Sequence, residues 1–533
     1  PRSKGSAAET LKAWLAQMKG TGSGEEKIAL ALDGPVAEAM AACPDPRLIS
    51  SYDRDLRVVV DREKARFSAW YEMFPRSCSM EPGRHGTFKD CEERLPSIAR
   101  MGFDVLYLPP IHPIGLTHRK GKNNSPAAKP EDPGSPWAIG SAPGGHKSVH
   151  PQLGGIEDFR HLLRKAQEHG IEIALDLAYQ CSPDHPYVNR HPEWFRRRPD
   201  GSIQYAENPP KKYEDIFPFH FETDAWQALY RELKNVLFFW IEQGVRIFRV
   251  DNPHTKPFPF WEWLIGETKK TCPEVIFLAE AFTRPKVMYH LAKLGFSQSY
   301  TYFAWRNTQW EIREYFQELT QTEVRDFFRP HLWPNTPDIL TEYLQTGGRP
   351  GFVIRLILAA TLGASYGIYG PAFELCETRA KEFGSEEYLD SEKYEIRTWN
   401  PDDASSLKEV IGRVNRIRRE NPALQGDWSL RFHPTDNEQI LCYSKHTEDD
   451  SNIILVVINL DPHHTHGGWV NFPVSETGME ANRSYQVHDL LTNARYLWHG
   501  PRNYLELDPR VSPAFVFRLR RRVKTERDFD YFM

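Results

Sequence analysis

Three short stretches set carboxylates where chemistry is done. Phe248-Arg249-Val250-Asp251-Asn252 and Phe277-Leu278-Ala279-Glu280 each read as a β-branched or aromatic strand that stops abruptly at an acid, and Asn335-Thr336-Pro337-Asp338 supplies a third carboxylate. Glycosyl transfer with retained configuration needs two carboxyl groups about 5–5.5 Å apart, one attacking the anomeric carbon and one serving the leaving group as acid and later as base. Asp251 as nucleophile and Glu280 as acid/base suit those jobs. Arg249 lies two residues before Asp251, so both side chains share one face and the guanidinium is placed to hold the carboxylate ionised and oriented. Asp338 is placed to steady oxocarbenium-like charge and to hold sugar hydroxyls. A lone Asp at a strand end is more often a helix N-cap, but several such acids weigh against that reading here.

Acids delivered by strand ends call for a parallel sheet whose C-terminal rim gathers them, which is what a (β/α)8 barrel provides. The chain alternates accordingly. Strand-like runs fall at 67–74, 105–108, 171–175, 245–250, 275–279, 298–303, 326–333 and 366–369, with amphipathic helical runs such as 90–101, 159–169, 225–243 and 406–419 among them. Long irregular stretches at 109–151 and 180–221 follow early strand ends, where loops of that length are usually functional. After residue 424 the pattern changes to short alternating runs separated by turn residues, as in an antiparallel sandwich. The expected architecture is therefore an α/β chain: an N-terminal helical segment over 1–65, a (β/α)8 barrel over 66–424 with long inserted loops, and a C-terminal β-sandwich over 425–533. The sandwich is expected first as a lid on the barrel and second as a carbohydrate-binding module.

With 533 residues, 40% hydrophobic and 26% charged, the chain has ample core material for that plan. A formal net charge of -5 supplies no global basic field, and the basic run 518–524 is confined to the tail, so nucleic acid is not an expected partner. The seven cysteines (Cys43, Cys78, Cys91, Cys181, Cys272, Cys376, Cys442) are odd in number and widely spaced, which fits a reducing cytoplasm and gives no metal-ligand spacing. No apolar run approaches the ~18 residues of a membrane span, and no charged-then-apolar leader opens the chain. The first residue is Pro1 rather than a methionine, which leaves room for upstream sequence.

The order Asp176, Arg249-Val250-Asp251, Glu280, Asp338 resembles the four motif regions of the α-amylase superfamily, glycoside hydrolase family 13. Residues 95–111, Gly154-Gly155-Ile156-Glu157-Asp158-Phe159 and the stretch from Tyr369-Gly370 to Glu374 are similar to further landmarks of that family. Two places depart from it. Where most amylases have Asn-His and His-Asp, this chain reads Gln180-Cys181 and Pro337-Asp338, so the imidazoles that usually hold a sugar hydroxyl are missing from those positions. Arg119-Lys120-Gly121-Lys122-Asn123-Asn124, Ser135-Pro136-Trp137-Ala138-Ile139-Gly140, Ala206-Glu207-Asn208-Pro209-Pro210-Lys211-Lys212-Tyr213 and Ser391-Glu392-Lys393-Tyr394-Glu395 instead resemble one subfamily, the α-1,4-glucan:maltose-1-phosphate maltosyltransferases.

That resemblance implies a donor, α-maltose 1-phosphate, an acceptor, an α-1,4-glucan or maltooligosaccharide, and phosphate as the product, with no cofactor. By the same resemblance Lys120, Gln180, Asn208, Lys211, Tyr213 and Asn252 would surround the phosphate, while Asn124, Asp132, Lys393 and Tyr394 would hold the donor's two glucose units. A dianionic leaving group needs cationic and amide donors beside the acid catalyst, a demand that neutral starch does not make. Taken singly, lysines such as Lys120 and Lys211 read as solvated loop charges. The alternatives are an amylase-like hydrolase or transglycosidase that takes starch as donor, or a silent amylase-like binding module. Members of the subfamily usually carry an N-terminal β-sandwich that helps build a homodimer, and nothing before Arg66 reads as one.

Overall fold

A computed structural model describes residues 6–20, 22–32, 34–41, 50, 53, 58–209, 211–474 and 484–520. Cys43, Pro210 and the end of the basic run, 521–524, lie outside them. Two compact units divide the chain, Pro1–Val59 and Val60–Met533. In the first, helices Ser6–Gly20, Gly24–Ala31 and Gly34–Ala41 follow one another. Ser23 opens the second helix with a reciprocal cap: its hydroxyl accepts the Glu26 N–H at 3.2 Å and the Glu26 carboxylate accepts the Ser23 N–H at 3.3 Å.

The second unit contains a closed barrel of eight parallel strands: β1 (Ser68–Glu72), β2 (Val105–Leu108), β3 (Glu172–Leu177), β4 (Ile247–Val250), β5 (Ile276–Ala279), β6 (Gln298–Tyr300), β7 (Pro330–Leu332) and β8 (Ser365–Tyr369). Each strand pairs with the next, and β1 closes the ring on β8 with Ser68 opposite Ser365. The strands are buried almost throughout, because helices cover the outside and side chains fill the inside, so their sequences lack an alternating pattern. Strands β6 and β7 are among those shorter than the sequence suggests. After β6 the chain turns into a 3-10 helix, Tyr302–Trp305, because the Thr301 hydroxyl accepts the Phe303 N–H at 3.4 Å. Before β7 the Thr322 hydroxyl does the same for Val324 at 3.2 Å, opening the 3-10 helix Glu323–Asp326, which takes in Asp326, the first residue expected as strand.

The C-terminal domain is antiparallel, as expected. Strands β9 (Arg431–His433), β10 (Ile440–His446), β11 (Ile453–Asn459), β12 (His466–Asn471), β13 (Ser484–Asp489), β14 (Arg495–His499), β15 (Arg502–Leu507) and β16 (Ala514–Arg520) form a six-stranded sheet, in the order β9-β10-β11-β16-β13-β14, and a two-stranded sheet, β12-β15. Strands β12, β14 and β15 have no counterpart in the sequence reading, since glycines, charges and exposed aromatics break their alternation. Among the described residues no helix is long and apolar enough to cross a membrane.

Candidate active site

Strand register brings the acids together. Val250 stands opposite Ala279 in the β4–β5 ladder, and the ladder runs one step further: the Glu280 N–H donates to Val250 O at 3.0 Å, and the Asp251 N–H donates to Leu177 O at 3.2 Å. Asp251 and Glu280 therefore leave neighbouring strands at the same level. Neighbouring strands lie about 4.8 Å apart, close to the spacing of about 5–5.5 Å that retaining glycosyl transfer uses. Asp176, at the end of β3, is directly opposite Arg249.

Arg249 ties the three acids to one another. Its Nη1 lies 2.9 Å from both Asp176 Oδ2 and Asp251 Oδ1, and its Nη2 lies 3.3 Å from Glu280 Oε1. Asn252 adds a second tie, donating its backbone N–H to Glu280 Oε2 at 3.2 Å and its side-chain amide to Asp251 Oδ1 at 3.3 Å. That geometry requires Asn252 to hold φ at 43°, a left-handed conformation which costs a non-glycine residue roughly 1–2 kcal/mol. The buried Lys256 ammonium steadies the bend from behind by donating to the carbonyls of Asp251 and Asn252, both at 3.1 Å.

Burial, with the neighbouring Asp251 charge, pushes the carboxyl groups of Glu280 and Asp176 up to about 7, against the pull of Arg249. The two differ in their donors. Asp176 Oδ2 accepts from Tyr107 Oη at 2.5 Å, Trp137 Nε1 at 3.3 Å and Arg249 at 2.9 Å, which favours its ionised form. Asp338 behaves oppposite to both: partial burial works against its ionisation, but Lys393, 2.7 Å away, with Lys211 and Arg249 beyond, holds its carboxyl below the ordinary range. Lys393 is raised in turn, since Asp338 outweighs the effect of burial.

The residues expected around the donor arrive on loops. Lys393, Tyr394, Tyr213, Lys211 and Asp338 lie within one another's field. Lys211 is paired with Glu387, and Lys120 is buried and paired with Glu214 rather than free. Asn124, at φ 63°, and Asp132 share the 119–132 loop, and each keeps one buried side-chain oxygen without a hydrogen-bond partner among the described residues. Gln180 donates to Trp137 O at 3.3 Å, beside Asp176. Asn208 is exposed, opposite Lys211 on the hairpin that pairs 206–208 with 211–213.

Several participants escaped the sequence reading. Asp215 is fully buried, neither of its oxygens has a hydrogen-bond partner among the described residues, and burial pushes it up to about 6 despite Lys120. No local pattern in the sequence marks it, since its character comes from burial. Glu72 ends β1 buried near Arg249, Asp176 and Asp338, and burial raises it well above the usual range. Arg76, also buried, donates to Gly134 O at 2.8 Å and Glu392 O at 2.5 Å, clasping the loop that carries Lys393. Metal-ligand spacing is absent from the sequence, yet the fold brings His146, Cys181 and His185 ligand atoms within 4.8 Å of one another. Their rings already satisfy each other as neutral imidazoles: the Tyr187 N–H donates to His185 Nδ1, His185 Nε2 meets His146 Nδ1 at 3.0 Å, and His146 Nε2 reaches Ala178 O at 3.0 Å.

A closed parallel barrel with an Asp–Glu pair on its C-terminal rim and an antiparallel domain behind it defines an α-amylase-type protein. Solved structures agree on the fold: an α-amylase from Geobacillus thermoleovorans superposes with a TM-score of 0.65 at 14% identity, covering 87% of this chain and 100% of that one. A maltogenic α-amylase from Thermotoga neapolitana gives 0.65 at 17% identity, covering 86% and 99%. Sequence similarity is far higher to another group. The α-1,4-glucan:maltose-1-phosphate maltosyltransferase of Methylacidiphilum infernorum is 55% identical over 515 residues, spanning 96% of this chain and 77% of that protein. The protein of the same name from Pseudomonas aeruginosa is 52% identical over 499 residues, spanning 93% and 74%. The family described as "GLGE, C-terminal" matches residues 432–519. The chain belongs to the α-1,4-glucan:maltose-1-phosphate maltosyltransferase family.

Proposed function

We propose that this chain moves maltosyl units from α-maltose 1-phosphate to the non-reducing end of α-1,4-glucans with release of phosphate, and that Asp251, Glu280, Asp338 and Arg249 do the chemistry. The observation that carries the assignment of roles is the single Arg249 guanidinium shared by Asp251 and Glu280. It holds the attacking carboxylate of Asp251 beside Glu280, whose carboxyl group burial raises toward its protonated form. Asp251 forms a bond to the anomeric carbon as the bond to the phosphate oxygen breaks, and Glu280 gives its proton to the departing phosphate. The product is a β-maltosyl ester on Asp251. Glu280, now ionised, takes the proton of the acceptor 4-hydroxyl as that oxygen displaces Asp251, and the second inversion restores the α configuration.

Asn252, Lys211, Tyr213, Gln180 and Asn208 surround the phosphate in this reading, with the exposed Asn208 and Lys211 contributing from the rim. Lys393, Tyr394, Asn124 and Asp132 hold the two glucose rings. Lys120 changes its part: its charge is taken up by Glu214, and with the unpartnered Asp215 alongside, the group is better suited to sugar hydroxyls than to a dianion. Asp215 is added to the donor site on that ground. A cytoplasmic location is supported by the six described cysteines, all free thiols. The homodimer implied by the family resemblance belongs to the proposal too, and a monomer mass by light scattering would remove it.

The test is to incubate the protein with α-maltose 1-phosphate and a maltooligosaccharide, following free phosphate and product length. Phosphate release with products longer by two glucoses is expected. Release of free maltose in place of chain extension, or activity on maltooligosaccharides without the phosphorylated donor, would favour the hydrolase or starch-donor alternative.

A further inference from the structure

The two-stranded sheet of the C-terminal domain has an uncovered aromatic face. Its register sets Trp469 opposite Tyr504, Gly467 opposite Glu506 and Asn471 opposite Arg502. Val470 and Leu507 turn into the core beneath, while Trp469 and Tyr504 stay 40% and 53% exposed. The two rings lie 5.5 Å apart, centroid to centroid, and are inclined by 66°. Both are held in place. A Cβ on Gly467 would come within 2.1 Å of Tyr504 Oη, so only glycine lets the phenol lie down along the neighbouring strand. Asp436 accepts the Trp469 backbone N–H at 2.7 Å, fixing the strand there, and the Arg502 guanidinium sits 4.7 Å from the Trp469 ring centre.

We propose that this face is a binding site for the acceptor, an α-1,4-glucan chain, remote from the reaction centre. A pyranose offers C–H groups on its faces and hydroxyls around its edge, so it is recognised by aromatic rings flanked by polar side chains. The α-1,4 linkage turns each glucose relative to the last, and two inclined rings about one glucose apart follow that turn as coplanar rings would not. Arg502, Glu506 and Asp436 bring both signs of charge to the rim, which suits a neutral polyhydroxylated chain rather than an anion.

The location supports the same occupant. Helix Gln309–Gln321 begins on the catalytic rim after β6, and Gln309 at its start donates to Thr435 Oγ1 at 3.0 Å and Ile440 O at 2.7 Å. Thr435 bridges to Val470 of β12, next to Trp469. Trp310, the neighbour of Gln309, is 69% exposed. The helix that follows β6 is thus joined directly to the sheet edge that carries Trp469. The identity of the chain rests on the transferase reading; the existence of the site does not.

The experiment compares the whole protein with Trp469→Ala, Tyr504→Ala, the double variant and Trp469→Phe. Retention on glycogen is measured by affinity electrophoresis, and phosphate release is measured with glycogen and with maltohexaose as acceptors. The double variant is expected to lose about five- to tenfold in glycogen affinity and to raise KM for glycogen by the same factor. Its kcat and KM for maltohexaose stay within about twofold, and Trp469→Phe, which keeps a ring face, stays near wild type in every readout. A double variant that melts at the wild-type temperature and is retained by glycogen as strongly as wild type would overturn the proposal. If the wild-type protein releases no phosphate from α-maltose 1-phosphate, the transferase reading fails, and electrophoresis still decides whether the aromatic face binds glucan.

Discussion

Asp251 and Glu280 stand on neighbouring strands whose ladder leaves them one relative placement, whereas Lys120, Asp215, Lys393 and Tyr394 come in on three separate loops. The acids are fixed by backbone hydrogen bonds that the barrel needs in any case. The donor loops are fixed by side chains reaching across from other loops: Arg76 to the carbonyls of Gly134 and Glu392, and Asn123 paired with Asp390 at 3.0 and 2.8 Å. This difference fits a barrel that amylases share at only 14–17% identity. In the proposed function, the rim supplies a reaction that a neutral or a phosphorylated donor can use, and the loops select the donor.

If that division is right, changes on the rim stop chemistry with every donor, and the largest effect belongs to Asp251. Asp251→Ala is expected to lower kcat by at least about 10³-fold with α-maltose 1-phosphate and with an activated maltosyl fluoride alike, with donor KM little changed. Equal loss with both donors, and no covalent adduct by mass spectrometry, is the expected pattern. Substantial turnover of the fluoride by a folded D251A protein would move the nucleophile elsewhere.

Glu280 comes next and sharpens the comparison through pH. Glu280→Gln is expected to cost about 10²- to 10⁴-fold. The donor step needs the protonated acid, so single-turnover phosphate release should fall as pH rises through about 7. The acceptor step needs the carboxylate, so transfer from the maltosyl-enzyme should fall as pH drops, and through a lower value than the donor step, because the ester removes the Asp251 charge that helps to raise Glu280. Limbs of opposite sign for the two half-reactions, both absent in Glu280→Gln, are the signature to look for in stopped-flow traces. Two limbs of the same sign would contradict the acid/base assignment.

The same contrast explains what could be read from the sequence. The barrel, Asp176, Arg249, Asp251 and Glu280 were legible because a strand that ends in an acid is a local pattern, and pairing of consecutive strands converts it into a position in space. Asp215 and Glu72 were not legible. Each owes its character to burial by residues far away in the chain, and nothing around either one separates it from an ordinary surface carboxylate. Lys120 was legible as a cation but not as half of an ion pair, since Glu214 reaches it across 94 residues. The exposed rings of β12 and β15 were missed as strands because Gly467, Gly468 and the charged neighbours interrupt the apolar rhythm on which strand reading depends.

Loop changes should act on donor binding rather than on the chemical step. Asp215→Asn keeps the shape of the buried group and removes its charge; it is expected to raise KM for α-maltose 1-phosphate by about tenfold, the worth of one hydrogen bond to a charged group, with kcat within about twofold. An equal fall in kcat at unchanged KM would move Asp215 out of the donor site and into the reaction itself.

The smallest expected effect tests the sign of the loop electrostatics. Glu387 takes up the charge of Lys211, whose side chain is 48% exposed, with Lys381 also 3.5 Å from its other oxygen. A pair this open to solvent is worth at most about 1 kcal/mol, so Glu387→Gln should leave the melting temperature nearly unchanged. It would, however, release Lys211 toward the phosphate of the donor. KM for α-maltose 1-phosphate should therefore fall, by no more than about fivefold, and the gain should fade as salt is raised because exposed charges are screened. A rise in KM would mean that Glu387 holds Lys211 in its working position rather than competing with the donor for it, and the loop charge would then be a fixed part of the site, as the rim acids are.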